Sequence, residues 1–340
     1  MQLFQKIIAL FTSLIMTVFG VSGVTLSQKA QALRVVAYIV AYDADYMRSL
    51  DNSHFDHLTD IILIGNLVFF DEEGQLSYND YFADVVAAAK DKIGDRPIRL
   101  HMNVAGPAGP GETYEEQLYS GGDAHTKAFR SGRMEAQLLE MLQTYALDGV
   151  FFDYEFPMTD EHLAAYDDFI VSLKKTIGDD YILGVASPHW GQRLSRAAIR
   201  ALDMVEVMCY DCWDENGVHS SVKATKSFMK GYLHDGYRAS QLDMGIPFYA
   251  RPSSGEAYWY AYAAYYRDLD ENGVMTDPAT GLTFTFNTPE TVYEKTSWAI
   301  QKGLGGVMVW NYGCDLPADN DASLFNAVAR AKQDATGRVC

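Results

Sequence analysis

Short apolar runs rich in β-branched residues alternate with amphipathic stretches along most of this 340-residue chain. Eight runs have the character of buried strands: residues 34–40, 60–67, 97–103, 147–154, 181–187, 204–209, 242–247 and 304–310. Helical patterns follow at 81–92, 128–145, 161–177, 195–201, 227–234, 289–302 and 322–334. Parallel strands need crossover helices, so eight such units predict an α/β fold, a (β/α)₈ TIM barrel that forms one domain.

The first 32 residues have the pattern of an export signal. Lys6 precedes a long apolar stretch, no acidic residue occurs before Asp43, and Ala30-Gln31-Ala32 has the small-x-small pattern of a cleavage site. We therefore predict a signal peptide at residues 1–32 and a secreted mature chain, 33–340, that is extracellular or associated with the cell wall. An uncleaved membrane anchor stays the alternative, because the apolar stretch approaches spanning length.

The net charge of the mature chain limits the classes of molecule that it can bind. The whole chain has a net charge of −18, and residues 1–32 hold two lysines and no acid, so the remainder carries −20. Such a charge disfavours nucleic acid and anionic lipid as partners. We expect a soluble exported monomer without stable membrane association after signal cleavage, acting on a neutral polysaccharide.

Neither the cysteines nor the histidines have the spacing of a metal site. The spacing of the four cysteines also leaves open whether any pair forms a disulfide, for example Cys212 with Cys314; the other two are Cys209 and Cys340. We expect no metal and no organic cofactor.

The fourth predicted strand ends in two acids, within the run DGVFFDYEFP at residues 148–157. Side chains alternate along a strand, so Asp153 and Glu155 face the same way. Two neighbouring carboxylates beside aromatic residues repel each other and lose water, which raises a pKa. A raised-pKa acid beside an ionised partner suits cleavage of a glycosidic bond. The alternative is a pair of solvated acids at a strand end.

The same run resembles the DGxDxDxE signature of glycoside hydrolase family 18, the chitinases and endo-β-N-acetylglucosaminidases. The resemblance implies that Glu155 is the general acid/base and that Asp153 orients the acetamido group of the substrate. Asp148 would help to hold the turn. Phe151 stands where the family usually has the middle Asp, which shares a hydrogen bond with the orienting Asp. We therefore expect weakened catalysis rather than none.

Other strand ends extend the resemblance. The sixth ends in MCYD (208–211), similar to the family's M-x-Y-D, and the seventh in GIPFYAR (245–251), similar to G-x-P-x-Y-G-R. The resemblance implies that Tyr210 and Asp211 join the catalytic set. It also implies substrate contacts from Tyr38, Met208, Tyr249, Arg251 and Trp310, with the Trp310 indole as the floor beneath the sugar. Trp213, on the loop after the sixth strand, either stacks a neighbouring sugar or simply packs. The third strand departs, with HMNVAG (101–106) in place of Ser-x-Gly-Gly.

The interval between the seventh and eighth strands is too short for the full α+β insertion of many relatives, which implies a more open groove. Its tyrosine-dense run, residues 258–266, has most tyrosines on one face of a predicted helix, which favours packing over sugar binding.

The resemblance implies a secreted retaining hydrolase that cleaves β-1,4 bonds next to N-acetylglucosamine in chitin or chito-oligosaccharides. Catalysis would be substrate-assisted, with the acetamido oxygen attacking the anomeric carbon. The alternatives are a peptidoglycan or N-glycan endo-β-N-acetylglucosaminidase, or a catalytically weak chitinase-like glycan-binding protein.

Overall fold

Eight parallel strands form the centre of the protein in the computed structural model, which describes residues 24–155, 158–191, 193–255 and 258–337. They are β1 (Arg34–Val40), β2 (Asp60–Phe70), β3 (Arg99–Ala105), β4 (Gly149–Asp153), β5 (Ile182–Pro188), β6 (Met204–Met208), β7 (Leu242–Pro247) and β8 (Gly306–Trp310). Each pairs with its neighbours in chain order, and β1 pairs with both β2 and β8, so the sheet closes. The predicted (β/α)₈ barrel is confirmed.

Helices cover the outside of the barrel. They are α1 (Leu26–Ala32), α2 (Ala44–Ser49), α3 (Phe82–Ile93), α4 (Tyr114–Arg130), α5 (Met134–Thr144), α6 (Asp160–Ile177), α7 (Arg196–Ala201), α8 (Val222–His234), α9 (Tyr262–Tyr265), α10 (Pro289–Lys302) and α11 (Leu324–Thr336). The single helix predicted at 128–145 was wrong. The chain breaks at Gly132, which has a left-handed φ of 67°, and separates α4 from α5.

The barrel interior is packed with side chains at the level of Phe151. This ring is fully buried and lies 5.1 Å from the imidazole of His101, measured between ring centroids. A Cβ atom added to Gly184 on β5 would come within 2.0 Å of the Phe151 ring. The absence of a side chain at residue 184 therefore makes the space that a phenyl ring needs at residue 151.

The N-terminal end of the barrel holds a group of ionisable side chains, most of them buried, which we call the basal cluster: Arg34, Asp60, Arg99, His101, Glu206 and Asp243. The Arg34 guanidinium lies 2.8 Å from the Asp243 carboxylate, and the His101 Nε2 atom lies 2.8 Å from Asp60 Oδ1. Burial would raise the pKa of Asp60, but hydrogen bonds and charges from His101 and Arg99 outweigh it and lower the pKa to about 2. These contacts join the start of β1 to that of β7, across β8, and the start of β2 to that of its neighbour β3.

The connection between β7 and β8 holds two small antiparallel pairs, Tyr249–Ala250 with Tyr260–Ala261 and Val274–Thr276 with Thr283–Thr285. The expected shortened insertion is confirmed. The helix predicted through the tyrosine-dense run was wrong, because only the four residues of α9 are helical. Tyr262 is buried, whereas Tyr258 and Trp259 are exposed.

The segment before β1 is packed against the barrel. Helix α1 contacts α10 and α11, Ala30 is fully buried, and Lys29 Nζ donates a hydrogen bond of 2.9 Å to the Gln301 carbonyl. Residues 1–23, which hold most of the predicted signal peptide, lie outside the described residues, and cleavage after Ala32 stays a prediction. Among the residues described, none of the helices combines the length and apolar character needed to cross a membrane.

The cysteines that the structure describes are unpaired thiols. Cys209 and Cys314 are buried and Cys212 is half-buried. The fourth, Cys340, lies outside the described residues. The disulfide that the sequence left open between Cys212 and Cys314 is therefore not formed in this structure.

Candidate active site

The C-terminal ends of the barrel strands surround a cavity of about 360 Å³, which we call the active-site cavity. Nine of the ten residues predicted from the sequence line it: Tyr38, Asp153, Glu155, Met208, Tyr210, Asp211, Tyr249, Arg251 and Trp310. Trp213 does not, because its ring packs against His219 with centroids 5.9 Å apart. The sequence analysis missed Val40, Tyr42, Ala186, Trp259 and Asn311, which also line the cavity.

Asp153 and Glu155 follow directly from the end of β4. Strand alternation turns Phe152 outward, where it meets Phe169 of α6, and turns Asp153 inward. The Asp153 Oδ1 atom is buried without a hydrogen-bond partner. Burial raises the pKa of Asp153 to about 6. No hydrogen bond from the described residues therefore holds this oxygen in place.

Glu155 is open to the cleft on one side. Even so, partial burial between the cleft walls, followed by the charges of Asp153 and Asp211, raises its pKa to about 7. The two strand-end carboxyls interact, so their protons leave in steps that belong to the pair. At neutral pH such a pair contains a protonated acid beside an ionised carboxylate.

Asp211 differs from the strand-end pair because several donors surround it. The Tyr249 hydroxyl donates to its Oδ1 at 2.5 Å, and Arg251 Nε lies 3.0 Å from the same oxygen. Burial would raise the pKa of Asp211, but the hydrogen bond from Tyr249 and the charge of Arg251 lower it. Asp211 is therefore ionised and tied to its neighbours.

His219 holds the backbone at this point. Asp211 has a left-handed φ of 53°, and its N–H donates to His219 Nε2 at 3.0 Å. This ring nitrogen accepts the hydrogen bond, so it carries no proton of its own, and the imidazole is neutral. The backbone of Asp211 is thus a specific hydrogen-bond partner of His219.

A buried lysine anchors the same loop from the helix layer. Lys295 on α10 donates to the Ser220 carbonyl at 2.6 Å and to its Oγ at 2.9 Å. Complete burial lowers the Lys295 pKa to about 7. Nothing in the sequence connects residues 220 and 295, so this contact could not be found before the fold was known.

Aromatic side chains form the walls of the active-site cavity. The Trp310 and Tyr38 rings lie 5.3 Å apart between centroids, and Trp259 meets Tyr249 edge-on at 5.8 Å. Trp259 keeps 50% of its surface exposed and Tyr42 keeps 62%. Flat apolar faces next to polar groups are suited to pyranose rings.

A second cavity, of about 620 Å³, shares Glu155 with the first. We call it the side cavity, and its lining includes Met158, Trp190 and Arg193. Trp190 follows β5 and is 69% exposed. The catalytic acid predicted from the sequence therefore stands between two openings that each contain an exposed aromatic ring.

This arrangement is equipped for proton transfer to a bound sugar. Glu155 can donate a proton at neutral pH, while Asp153 and the Tyr210 hydroxyl lie on the lining of the same cavity. Among the described residues, no three histidine, cysteine or acidic side chains converge as they would around a metal ion. The chemistry available to the described side chains is acid–base and electrostatic.

Known proteins share this architecture. Chitinase 63 of Streptomyces plicatus is 27% identical over 220 residues, which cover 49% of this chain and 36% of that protein. The alignment thus spans about a third of that relative. The chitinase ChiB of Flavobacterium johnsoniae superimposes with a TM-score of 0.70 at 20% identity, covering 89% of this chain and 94% of that one.

A chitinase-like agglutinin of Robinia pseudoacacia has the same fold, with a TM-score of 0.63 at 14% identity, covering 87% of this chain and 99% of that one. The family model described as glycosyl hydrolases family 18 matches residues 34–315, from the first strand of the barrel to beyond the last. The chain therefore belongs to glycoside hydrolase family 18.

Proposed function

We propose that this protein is an exported, retaining hydrolase that cleaves β-1,4 bonds next to N-acetylglucosamine in chitin or chito-oligosaccharides. The observation that carries the proposal is the position of Glu155, which lines both the active-site cavity and the side cavity and shares the first with Asp153 and Asp211. Burial and the charges of these two acids raise its pKa to about 7, so Glu155 can hold a proton at the pH where Asp211 is ionised. Glu155 protonates the oxygen of the leaving sugar and later activates a water molecule.

The internal nucleophile is the acetamido oxygen of the substrate. Asp153 and Glu155 lie on the same side of the cavity, which rules out attack by Asp153 on the face opposite the acid. Asp211, the third carboxylate among the described residues lining the cavity, is held by Tyr249 and Arg251. Asp153 and Tyr210 orient the acetamido group and balance its developing positive charge.

The side cavity supports a polymeric substrate. Glu155 must touch the oxygen that joins the two sugars, so one sugar lies in the active-site cavity and the next lies beyond Glu155. Trp190, exposed in the side cavity, offers that next sugar a stacking surface. Openings on both sides of the acid favour a chain that passes across the barrel mouth.

A glycan-binding protein without turnover is the competing function, because the agglutinin shares the fold. The retained acid favours catalysis: Glu155 is present and its surroundings raise its pKa into the working range. Binding alone does not require a proton donor at this position.

The test compares chito-oligosaccharides with matched oligosaccharides that carry a free amine at the cleaved residue. We expect the acetylated chain to be hydrolysed with retention of anomeric configuration, read by proton NMR of the first product, and the deacetylated bond to be inert. Comparable rates on both, or inversion, would contradict substrate assistance. Binding without hydrolysis would favour the agglutinin-like function. Turnover of peptidoglycan or of a high-mannose glycoprotein, without turnover of chito-oligosaccharides, would show that the substrate is one of these glycans instead.

A further inference from the structure

Asp153 borders a second space besides the active-site cavity. This cavity of about 310 Å³, which we call the rear cavity, is lined by Asp153, Asn103, Trp310, Val40, Ile64 and Leu67, among others. Apart from the first three, its side chains are aliphatic or absent. Any polar partner that Asp153 finds on this side must therefore come from few groups.

Two residues with unpaired oxygen atoms line the rear cavity. Asn103 is 5% exposed, and its Oδ1 atom has no hydrogen-bond partner among the described residues. The Asp153 Oδ1 atom is likewise buried and lacks a hydrogen-bond partner among the described residues. Buried polar atoms are almost always paired in folded proteins. The amide of Asn103 can present either its oxygen or its NH₂ group to the cavity, and the volume exceeds what one bridging water needs.

The residue below Asp153 explains why such a partner matters in this chain. Asn103 on β3 pairs across the sheet with Phe151 on β4. The Phe151 ring fills the space towards Gly184 and His101, so it offers Asp153 no polar atom from beneath. The family usually has a carboxylate at this middle position of the signature, and such a group would offer Asp153 a polar partner from beneath.

We propose that Asn103 is the positioning residue for Asp153, donating a hydrogen bond from its amide to the Asp153 carboxylate, directly or through one water molecule in the rear cavity. The amide replaces the partner that Phe151 removes, and it adds no charge to the interior. It keeps Asp153 ionised and turned to receive the acetamido group. The inference rests on the proposed function, since the orientation of Asp153 acts through that group.

The titration of the Asp153 carboxyl can be distinguished from the titrations of the groups around it. The titratable groups that influence it are Glu155 beside it and the hydroxyls of Tyr38, Tyr166 and Tyr210. Burial raises the pKa of each tyrosine well above 10. Between about pH 4 and 9, Glu155 is thus the one neighbour in this described set whose charge changes.

The first test is Asn103→Leu, which keeps the volume and removes the amide. We expect kcat on chito-oligosaccharides to fall about tenfold to a hundredfold, the effect of losing one hydrogen bond to a charged group, with little change in KM. The acid limb of the pH–rate profile should move up by about one pH unit, because an unpaired carboxylate holds its proton longer. Val104→Ala is the control, since this buried neighbour on β3 faces the helices.

A second measurement does not need activity. In a Glu155→Gln background, ¹³C NMR titration of the Asp153 carboxyl should show a higher pKa with Asn103→Leu than with Asn103 intact. Asn103→Asp should raise it too, because the new carboxylate shares one proton with Asp153. An unchanged Asp153 titration in folded Asn103→Leu and Asn103→Asp proteins would overturn the inference. An inactive wild-type enzyme with a shifted titration would instead count against the proposed function alone.

Discussion

Asp60 at the base of the barrel and the strand-end pair at its mouth are acids in opposite electrostatic states. At the base, the Arg99 guanidinium lies 2.8 Å from Asp60, and hydrogen bonds and charges from His101 and Arg99 outweigh burial and lower the pKa of Asp60 to about 2. At the mouth, Asp153 and Glu155 form no ion pair among the described residues, and their pKa values rise to about 6 and 7. The same residue types stabilise one end and prepare chemistry at the other.

The difference lies in which partner accompanies burial. Burial raises the pKa of a carboxyl at either end, and a cation or donor close by reverses this only where it outweighs burial. Asp243 keeps a raised pKa even beside Arg34, because burial and the charge of Asp60 raise it. Asp211 illustrates the rule within the mouth itself, since Tyr249 and Arg251 return its pKa to below the usual value. Substitutions should therefore cost stability at the base and activity at the mouth.

The largest effect is expected at the mouth. Glu155→Gln should leave the fold intact and lower hydrolysis by roughly 10²–10⁴-fold or more, because the amide has no proton to transfer. Glu161→Gln on α6, a surface acid paired with Arg130, is the matched control and should keep full activity. Initial rates on a chito-oligosaccharide measure both. If Glu155→Gln retained more than a few per cent of wild-type turnover, Glu155 could not be the general acid.

At the base, Asp60→Asn should unfold the protein more easily and leave the chemistry of folded molecules unchanged. Breaking a buried pair costs about 3–5 kcal/mol at pH 7. The lowered pKa contributes stability that is present above the usual value near 4 and is lost as the pH falls towards 2. The difference from wild type should therefore shrink over that range.

Denaturant unfolding at several pH values measures this prediction. Asp56→Asn, at an exposed ion pair with Arg96, is the control and should change stability by less than about 1 kcal/mol. A pH-independent loss in Asp60→Asn would mean that its packing, rather than its charge, holds the base together.

Between the two ends, Phe151→Asp should combine both kinds of effect. Losing the ring costs about 3–5 kcal/mol of stability, and an Asp at this position is poorly solvated. The carboxyl would also give Asp153 a partner and change the acid limb of the pH–rate profile.

Gly184→Ala tests the contact between residues 184 and 151. It should destabilise the wild type, where its Cβ meets the Phe151 ring, and it should partly restore the stability of Phe151→Asp by filling the void. Equal losses of stability in both backgrounds would disprove this contact.

The smallest effect is a gain in stability at the mouth. Because the folded state raises the pKa of Glu155 from its usual value near 4.5 to about 7, its ionisation opposes folding increasingly as the pH rises between these two values, and the full effect is present above pH 7. Glu155→Gln should thus raise Tm by roughly 1–3 °C at pH 8 and leave it unchanged near pH 4. A lower Tm at pH 8 would show that the carboxylate stabilises the mouth.

The barrel could be predicted from the sequence because buried parallel strands appear as continuous apolar runs. The strand-end residues of the site followed, since a closed barrel brings all the C-terminal ends together. Helix α4 escaped detection because its inward face is built from small and polar residues, Gly121, Gly122, His125 and Thr126, which are buried without an apolar period.

The sequence could not predict contacts between distant residues that form only after the barrel has folded and closed. Trp190 and Trp259 lie on loops whose positions depend on the strands beneath them, so nothing marked them as lining residues. The anchoring of Ser220 by Lys295 joins residues 75 positions apart. The fit of Phe151 against Gly184 needs the register of β4 on β5, in which the two residues are paired.

Helix α1 lies at the end of the barrel opposite the active-site cavity. It leads directly into the start of β1 and rests against the end of α10, where Lys29 donates a hydrogen bond to the Gln301 carbonyl. The described chain therefore enters the barrel at its base, whereas the residues that line the active-site cavity lie at the opposite ends of the strands. A large substrate can approach the mouth without meeting this entry segment.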